Sequence, residues 1–468
     1  MLSDRDFCRM LVTVWVITAA ALCIPVTASP LNETWSAMYG GPYMENGYAV
    51  VQAGDGGYVV AGDARSSDSV VSNDGWMIKT DGSGTKQWDR KFGGSRYDSL
   101  TSLVPVPDGY VLAGTTLSFP SYGGQDAWLI RTDSNGNELW NHTYGGYSTD
   151  LFNSVIRTPD GGFTAAGITD SYGSGSGDAF LVRIAQDGTE QWHAAFGGVK
   201  ADRAVSLAQL QDGGYILAGS TWSLGPNDTN LYLIRTDSGG NLIWQKTYGH
   251  NIHTYGNDVL ALPDGGFVAV GYTDPYPAAG NRSVYAVRTD SAGTIVWEKT
   301  PGSVRLTSEG RSVTASSDGG FVITGGSMGL YLLELNSDGT TSWDRVIARS
   351  PNDWGTGIEP VSGTSGYIVS GLRNLPANNW DAYLMRVDPA STEPGVVALP
   401  QTSAAPTDPD KDGRYEDLNG NGEMDFNDVV LYFTHIDWIA DNEPTGAFDF
   451  NGNGGIDFQD IVNLFREL

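Results

Sequence analysis

Residues 126–146, DAWLIRTDSNGNELWNHTYGG, place Trp128 and Ile130 in alternation before a turn and Leu139 after it. Between them, Asp133-Ser134-Asn135-Gly136-Asn137 supplies residues that tolerate tight-turn dihedrals. A period of two on either side of a turn predicts two antiparallel strands. Upstream, a run from Ser99 to Val106, a Pro107-Asp108-Gly109 turn and the segment Tyr110 to Gly114 predict a second pair. The four strands form one small antiparallel sheet.

The unit recurs. Its closing tryptophans stand at Trp35, Trp88, Trp140, Trp192, Trp244, Trp297 and Trp343, and the inner turn returns as Asp55-Gly56-Gly57, Asp160-Gly161-Gly162, Asp212-Gly213-Gly214, Asp264-Gly265-Gly266 and Asp318-Gly319-Gly320. A four-stranded sheet repeated every ~50 residues predicts a β-propeller, in which each sheet covers its neighbour. Trp35 has no three strands before it, whereas the last repeat, residues 357–388, has three strands and no closing tryptophan. The phase therefore predicts an all-β, seven-bladed propeller over 29–388, with the strand Thr34 to Tyr39 completing the last blade and removing an exposed edge.

Repetition also separates scaffold from candidate chemistry. Lys79, Arg131, Arg183, Arg235, Arg288 and Arg386 occupy one column, with Glu334 in the remaining unit, while Asp74, Asp126, Asp178 and Asp381 open the third strand. Such columns read as turn and pairing residues. The loops between second and third strands vary, and variable loops on a rigid scaffold are where binding evolves. They carry Phe119, Tyr122, Tyr172, Trp222, Tyr276 and Trp380, with Tyr97, Tyr147, Tyr255 and Trp354 in the crossovers. Flat rings with polar neighbours suit a glycan or protein ligand; the alternative is that they pack the loops onto the sheets. His250 and His253 read as a surface loop, and Gly173 to Gly177 lacks the strand-then-helix setting of a phosphate loop. Asn32, Asn141, Asn227 and Asn281 begin N-glycosylation sequons.

The turn and tryptophan of residues 133–140 resemble the blade-docking repeat of quinoprotein dehydrogenases. That resemblance implies architecture and not activity, because those propellers typically carry eight blades and many a vicinal disulfide that this chain lacks. No catalytic residues are assigned, and enzymatic activity is left open.

At the N-terminus, Arg5 and Arg9 precede an apolar run from Leu11 to Ile24 and the A-x-A-like Val26-Thr27-Ala28. This predicts a signal peptide over 1–28, hence secretion, extracellular and in one version cell-surface associated, with no transmembrane span after cleavage. An uncleaved anchor or a lipoprotein at Cys23 is the rival reading. Cys8 and Cys23 are the only cysteines, so the mature chain has no disulfide or thiolate chemistry. The net charge of −28 argues against nucleic acid as a partner. From Asp408 to Leu468, 15 acidic residues face three basic ones, so this end should attract a cation.

Between the two parts, residues 389–407 read as a Pro/Ser/Thr linker. Beyond it, Asp417, Asn419, Asn421, Glu423, Asp425 and Asp428 fall at positions 1, 3, 5, 7, 9 and 12 of a twelve-residue loop with Gly422 at position 6. Asp449, Asn451, Asn453, Gly455, Asp457 and Asp460 repeat it 32 residues later. Alternating side-chain oxygens, a position-7 carbonyl and a glycine bend are calcium-loop spacing, so Ca2+ is the expected cofactor. Asp408, Asp410, Asp412 and Glu416 form a candidate third site. Each loop leads into a helix, over Asp428 to His435 and Asp460 to Arg466.

A duplicated calcium loop plus helix at a secreted chain's C-terminus resembles a dockerin domain, here 408–468, small, α-helical and EF-hand-like. The resemblance implies a cohesin-like module or cell-surface protein as partner. The Ser/Thr pair that many dockerins carry at loop positions 10 and 11 is replaced by Phe426-Asn427 and Phe458-Gln459. The expected function is thus a secreted, calcium-binding recognition or adhesion protein. The alternatives are a carbohydrate-active enzyme, lyase or glycoside hydrolase, of a dockerin-assembled complex, and a structural protein of the cell envelope.

Overall fold

The structure, a computed structural model, describes residues 31–65, 73–119, 124–226, 228–249, 253–274, 282–301, 308–326, 329–347, 353–375 and 379–389 of the first part. Toward the C-terminus it describes 399, 406, 415–419, 424–442, 448, 450 and 456–467. The segment 1–28 and most of the linker lie outside the described residues.

The chain is mostly β, built from many small antiparallel sheets. After β1 (Leu31–Tyr39), the first group comprises β2 (Glu45–Gln52), β3 (Tyr58–Arg65), β4 (Asn73–Thr80) and β5 (Lys86–Phe92). The second comprises β6 (Asp98–Val106), β7 (Gly109–Thr116), β8 (Asp126–Asp133) and β9 (Glu138–Tyr144). The third is β10 (Asp150–Arg157), β11 (Phe163–Thr169), β12 (Asp178–Ile184) and β13 (Glu190–Phe196). The fourth is β14 (Asp202–Gln209), β15 (Tyr215–Thr221), β16 (Asn230–Thr236) and β17 (Leu242–Tyr248). The fifth is β18 (His253–Ala261), β19 (Phe267–Asp274), β20 (Ser283–Thr289) and β21 (Ile295–Lys299).

These five groups are separate four-stranded sheets. An eight-stranded sheet holds the rest: β22 (Glu309–Ala315), β23 (Phe321–Gly326), β24 (Leu330–Leu335) and β25 (Thr341–Ile347), then β26 (Trp354–Pro360), β27 (Tyr367–Leu375) and β28 (Asn379–Pro389), with β1 on β28. Its two halves meet at one residue pair, Gly326 and Trp354. β1 runs antiparallel to β28 from Leu31 opposite Pro389 to Tyr39 opposite Ala382.

Order along the chain becomes a closed circuit in space. The first strands touch in the sequence β2, β6, β10, β14, β18, β22, β26 and back to β2. The apolar core is divided accordingly. Each cluster draws on two consecutive groups, as when Val111, Ala113 and Leu129 pack with Phe152, Phe163 and Phe180. The cluster of Val50, Tyr58 and Val60 with Ile368, Ala382 and Leu384 joins the last strands to the first group. Continuous burial along the second and third strands of a group reflects this coverage of both sheet faces.

Two repeated contacts explain the sequence columns. The closing tryptophan reaches the next group's outer turn: at Gly136, whose φ is +76°, an added Cβ would sit 2.7 Å from the Trp88 ring. Glycine is needed there both for dihedral and for space. The basic column pairs with the acid of the inner turn, Lys79 with Asp55 at 2.8 Å and Arg288 with Asp264 at 2.7 Å, with equivalent pairs at Arg131–Asp108, Arg183–Asp160 and Arg235–Asp212. Arg386 departs from the rule and pairs with Asp388 on its own strand. Glu334, in the same column, is buried and its carboxyl is raised, by burial first and by Asp318 second.

At the C-terminal end lie α1 (Phe426–Asn442) and α2 (Phe458–Glu467). α1 runs seven residues past the expected end at His435, because Ile436 and Ile439 continue the stripe begun by Val429 and Tyr432. These residues pack with Leu418, Phe448, Phe450, Ile461 and Leu464, and Leu399, from the segment read as linker, is buried among them. Among the described residues, no helix is long and apolar enough to cross a membrane.

Candidate functional site

Each first strand makes the same local departure from regular pairing: one extra residue bulges, at Tyr48, Thr101, Asn153, Val205, Asn257, Arg311 and Thr356. The bulges line a central channel of about 920 Å³. Their side chains stitch one group to the next: Thr101 Oγ1 donates to the Phe152 carbonyl at 2.8 Å, and Asn153 Nδ2 to that of Ala204 at 2.7 Å. Asn257 Nδ2 donates to Gly310 at 2.7 Å, and Thr356 Oγ1 to Gly47 at 2.8 Å across the closure. Bulges re-aim side chains, and the bulged residues that line the channel are polar in every group except the fourth, where Val205 stands.

Two acids break the repeat inside this channel. The residue after the bulge is Ser102, Ser154, Ser206 and Ser312 in four strands but Asp258 in β18. Two positions further on, Val51, Val104, Ile156, Ala208, Leu260 and Thr314 are answered by Glu359 in β26. Asp258 accepts hydrogen bonds from Ser206 Oγ at 2.6 Å, Ser312 Oγ at 3.0 Å and the Val313 amide at 2.9 Å, so it ties three first strands together. Glu359 is exposed to the channel while strands surround it on all sides of the circuit. Enclosure, with the Asp258 charge adding to it, pushes its carboxyl up to about 7.

This carries a pH signature. Because the folded pKa lies above the unfolded value of 4.5, the stability tied to Glu359 is complete below about pH 4.5 and lost as pH rises through about 7. Glu359→Gln is expected to melt higher than wild type at pH 8, by about 1 kcal/mol after screening by channel water. The difference should vanish toward pH 4.5. Thermal melts of both proteins from pH 4 to 8 check it, and a pH-independent difference would contradict the assignment.

The aromatic residues picked out in the variable loops divide. Phe119 packs on Trp128 at 5.4 Å, and Tyr172 stacks on His193 at 4.1 Å while its hydroxyl donates to the Gly145 carbonyl at 2.9 Å. Both hold loops to sheets. Trp222 is half-exposed beside Tyr255 at 6.1 Å, with the Arg203 guanidinium 5.5 Å from its ring centre. Trp380 is half-buried on β28, opposite Asn374. Tyr122 and Tyr276 lie outside the described residues, as does His250. His253 begins β18 rather than standing in a loop, its Nδ1 3.2 Å from Thr229 Oγ1.

In the C-terminal part, the described portions of the two loops share one construction. The Asp425 carboxylate accepts from the Asn427 amide at 2.6 Å, and Asp428 reaches back to the Asp425 amide at 2.7 Å. Asp457 and Asp460 do the same at 2.7 Å each. These are reciprocal N-terminal caps of α1 and α2. Asp428 Oδ1 also accepts from the Asn419 side chain at 2.8 Å, so loop positions 3 and 12 are drawn together. Asp417, Asp428, Asp460 and Glu416 are buried. Burial raises the Asp428 carboxyl, and Asp417 and Asp425 raise it further. These are oxygen donors of the kind that a calcium-type cation takes, although among the described residues no three acidic side chains are gathered as a metal site. Asn421, Glu423, Asp449, Asn451, Asn453, Gly455, Asp408, Asp410 and Asp412 lie outside the described residues.

No family model matches the chain, and no curated protein matches it. Solved structures similar to it include a Bacteroides caccae protein of unknown function, with 13% identity over 58% of this chain and 92% of that one and a TM-score of 0.36. Sqt1 from Chaetomium thermophilum is 13% identical over 73% of this chain and 83% of its own, with a TM-score of 0.46. A protein of unknown function from Dyadobacter fermentans DSM 18053 is 12% identical over 77% and 99%, with a TM-score of 0.47.

Proposed function

We propose that the chain is a secreted recognition protein: a seven-bladed β-propeller that presents its loop-bearing end to a glycan or protein ligand, and a calcium-stabilised, dockerin-like module that tethers it to a partner. The cyclic contacts of the seven first strands, with β1 as the fourth strand of the last unit, support the propeller reading. The convergence of Asn419, Asp425 and Asp428 at the start of α1 supports the calcium reading. When bound, the cation would be held by loop oxygens, and its role is to neutralise them and fix the loop onto the helix.

The observation that carries the tether is a patch of four phenylalanines. Phe426, Phe433, Phe458 and Phe465 are 61%, 61%, 62% and 55% exposed. They occupy loop-frame positions 10 and 17 of the two copies. Phe426 meets Phe465 and Phe433 meets Phe458, each edge-on at 6.3 Å, so every contact joins one copy to the other. A four-ring apolar surface on an acidic module is costly to leave in water and marks an interaction face. Its partner's matching surface is apolar with a basic rim.

The test is Phe426→Ser with Phe458→Ser in the full chain, used to capture partners from the native culture supernatant in calcium. Capture should fall at least tenfold while the calcium dependence of melting is kept. Undiminished capture by the variant, or capture that ignores calcium, contradicts the tether. One observation favours a second reading, a carbohydrate-active enzyme. Glu359, with a carboxyl near 7 in the channel, has the poise of a general acid. Polysaccharide cleavage abolished by Glu359→Gln would establish that reading instead.

A further inference from the structure

Two residues before each bulge, the first strands cease to repeat. The position runs Asn46, Ser99 and Leu151 on one side of the circuit and Arg203, Tyr255 and Glu309 on the other, with Trp354 between Glu309 and Asn46. On the second side the side chains join into an arc. Arg203 lies over the Trp222 ring at 5.5 Å, Trp222 and Tyr255 meet at a steep angle at 6.1 Å, and Tyr255 stacks on Tyr272 at 4.7 Å. Arg282 covers the far end, 5.0 Å from the Tyr272 ring.

The two cations of this arc are not equivalent. Arg282 is neutralised by Asp274 at 3.3 Å and by Glu309. Arg203 pairs with no carboxylate among the described residues, and its Nε is buried without a hydrogen-bond partner. Burial lowers its pKa. In a chain with 55 acidic residues, a half-buried guanidinium left without a counter-charge is a departure that a ligand would repair.

Building on the recognition reading above, we infer that Arg203, Trp222 and Tyr255 form the subsite for a carboxylate-bearing sugar, a uronic acid unit of an acidic polysaccharide. The guanidinium takes the carboxylate as a planar, two-bonded pair. The half-exposed Trp222 and Tyr255 rings, each with one face already taken by Arg203 or Tyr272, offer their remaining apolar surface to the sugar's C–H side, and the Tyr255 and Tyr272 hydroxyls suit its hydroxyl rim. A free peptide carboxylate would satisfy Arg203 but leave these faces wet, which favours the sugar. The overall charge of −28 repels long polyanions, so short oligomers at physiological ionic strength are the proper probe.

The experiment is titration calorimetry of the full chain, in calcium, with a galacturonate trimer, a glucuronate trimer, a neutral galactose trimer and an acidic tripeptide. Wild type should bind at least one uronate trimer ten times or more tightly than the neutral sugar or the peptide. Arg203→Gln should remove that preference, Arg203→Lys should restore part of it, and Trp222→Ala should weaken uronate binding at least tenfold. Each variant should keep the wild-type melting temperature within a few degrees; a preference lost only in variants that melt much earlier counts against the assignment. Neutral sugar bound through Trp222 without regard to Arg203 overturns the acidic-sugar inference and leaves glycan recognition standing. Tighter binding of the peptide overturns the sugar class. Failure of wild type to bind either uronate trimer overturns the inference outright.

Discussion

A chain lacking residues 31–39 is expected to lose most of the stability of its β part and to aggregate. β1 closes the circuit on two sides at once. Leu31 packs with Val322, Leu330 and Leu332, whereas Tyr39 packs with Val50, Val60 and Ile78 and donates its hydroxyl to the Gly84 carbonyl at 2.5 Å. Trp35 covers Gly84 and lies 5.8 Å from Tyr58. Burying three such side chains contributes roughly 1.5–3 kcal/mol each. With the ladder to β28, the loss is about 5–10 kcal/mol, comparable to a whole domain's stability. The eleven-residue β28 would also become an open edge, ready to pair with another chain. Size-exclusion chromatography and a thermal melt read the outcome: soluble aggregate, or a monomer melting at least ~10 °C lower. The point variant Trp35→Ala, expected to cost about 3 kcal/mol, gives the graded version. A truncated chain that stays monomeric and melts with the full one would contradict the ring.

Withdrawing calcium should have the second large effect, confined to the other end of the chain. Among the described residues, the core around α1 and α2 is small: its buried apolar side chains are Leu399, Leu418, Val429, Tyr432, Ile439, Phe448, Phe450, Ile461 and Leu464. Segments of this size rarely fold on a hydrophobic core alone. The loop carboxylates add mutual repulsion that only a cation relieves. At one hundred times its dissociation constant, a bound ion contributes about 2.7 kcal/mol per site. Calorimetry of the full chain is therefore expected to show two transitions in calcium. EDTA should lower or abolish the smaller one and leave the larger one in place. Asp428→Ala should act like partial chelation, because it removes a loop oxygen together with the cap on the Asp425 amide. Transitions identical with and without EDTA would contradict the calcium reading.

Much of the scaffold was legible along the chain because it is repetitive. The period-two alternation, the tryptophan spacing and the turn acids recur, so a single unit read correctly gives the others. The basic column could be set aside as pairing residues for the same reason, and Lys79 and Arg288 pair as such columns do. Features that depend on register were not legible. A bulge at Asn257 or Arg311 leaves the apolar pattern nearly unchanged and appears only when the strands are laid side by side. Asp258 and Glu359 lie on different strands, and their shared channel exists only after closure. Aligning the first strands through the glycine that recurs in each following strand, from Gly62 and Gly114 to Gly371, would have exposed both as departures from their columns.

Loop aromatics show the same limit from the other side. Phe119 and Tyr172 share the composition of their loops with Trp222, but they fold back on Trp128 and His193, and nothing in the local sequence distinguishes inward from outward rings. Arg203 carried no motif at all. It stands out only because, among the described residues, no acid faces it. α1 outruns the stripe next to its loop for a different reason: Ile436 and Ile439 extend that stripe against a core whose other wall comes from distant residues such as Leu399 and Phe448.

The ring itself is tested most directly by a cross-link between its two ends. Asn32 lies opposite Asp388 in the β1–β28 ladder, and the only native cysteines, Cys8 and Cys23, precede residue 29. A chain starting at residue 29 with Asn32→Cys and Asp388→Cys is predicted to form one intramolecular disulfide quantitatively under mild oxidation. It should remain monomeric and melt higher than its reduced form by several degrees, because the bond closes a loop of more than 300 residues. Free thiols that persist in the folded protein, or disulfide-linked dimers in place of the internal bond, would show that the first strand does not lie beside the last.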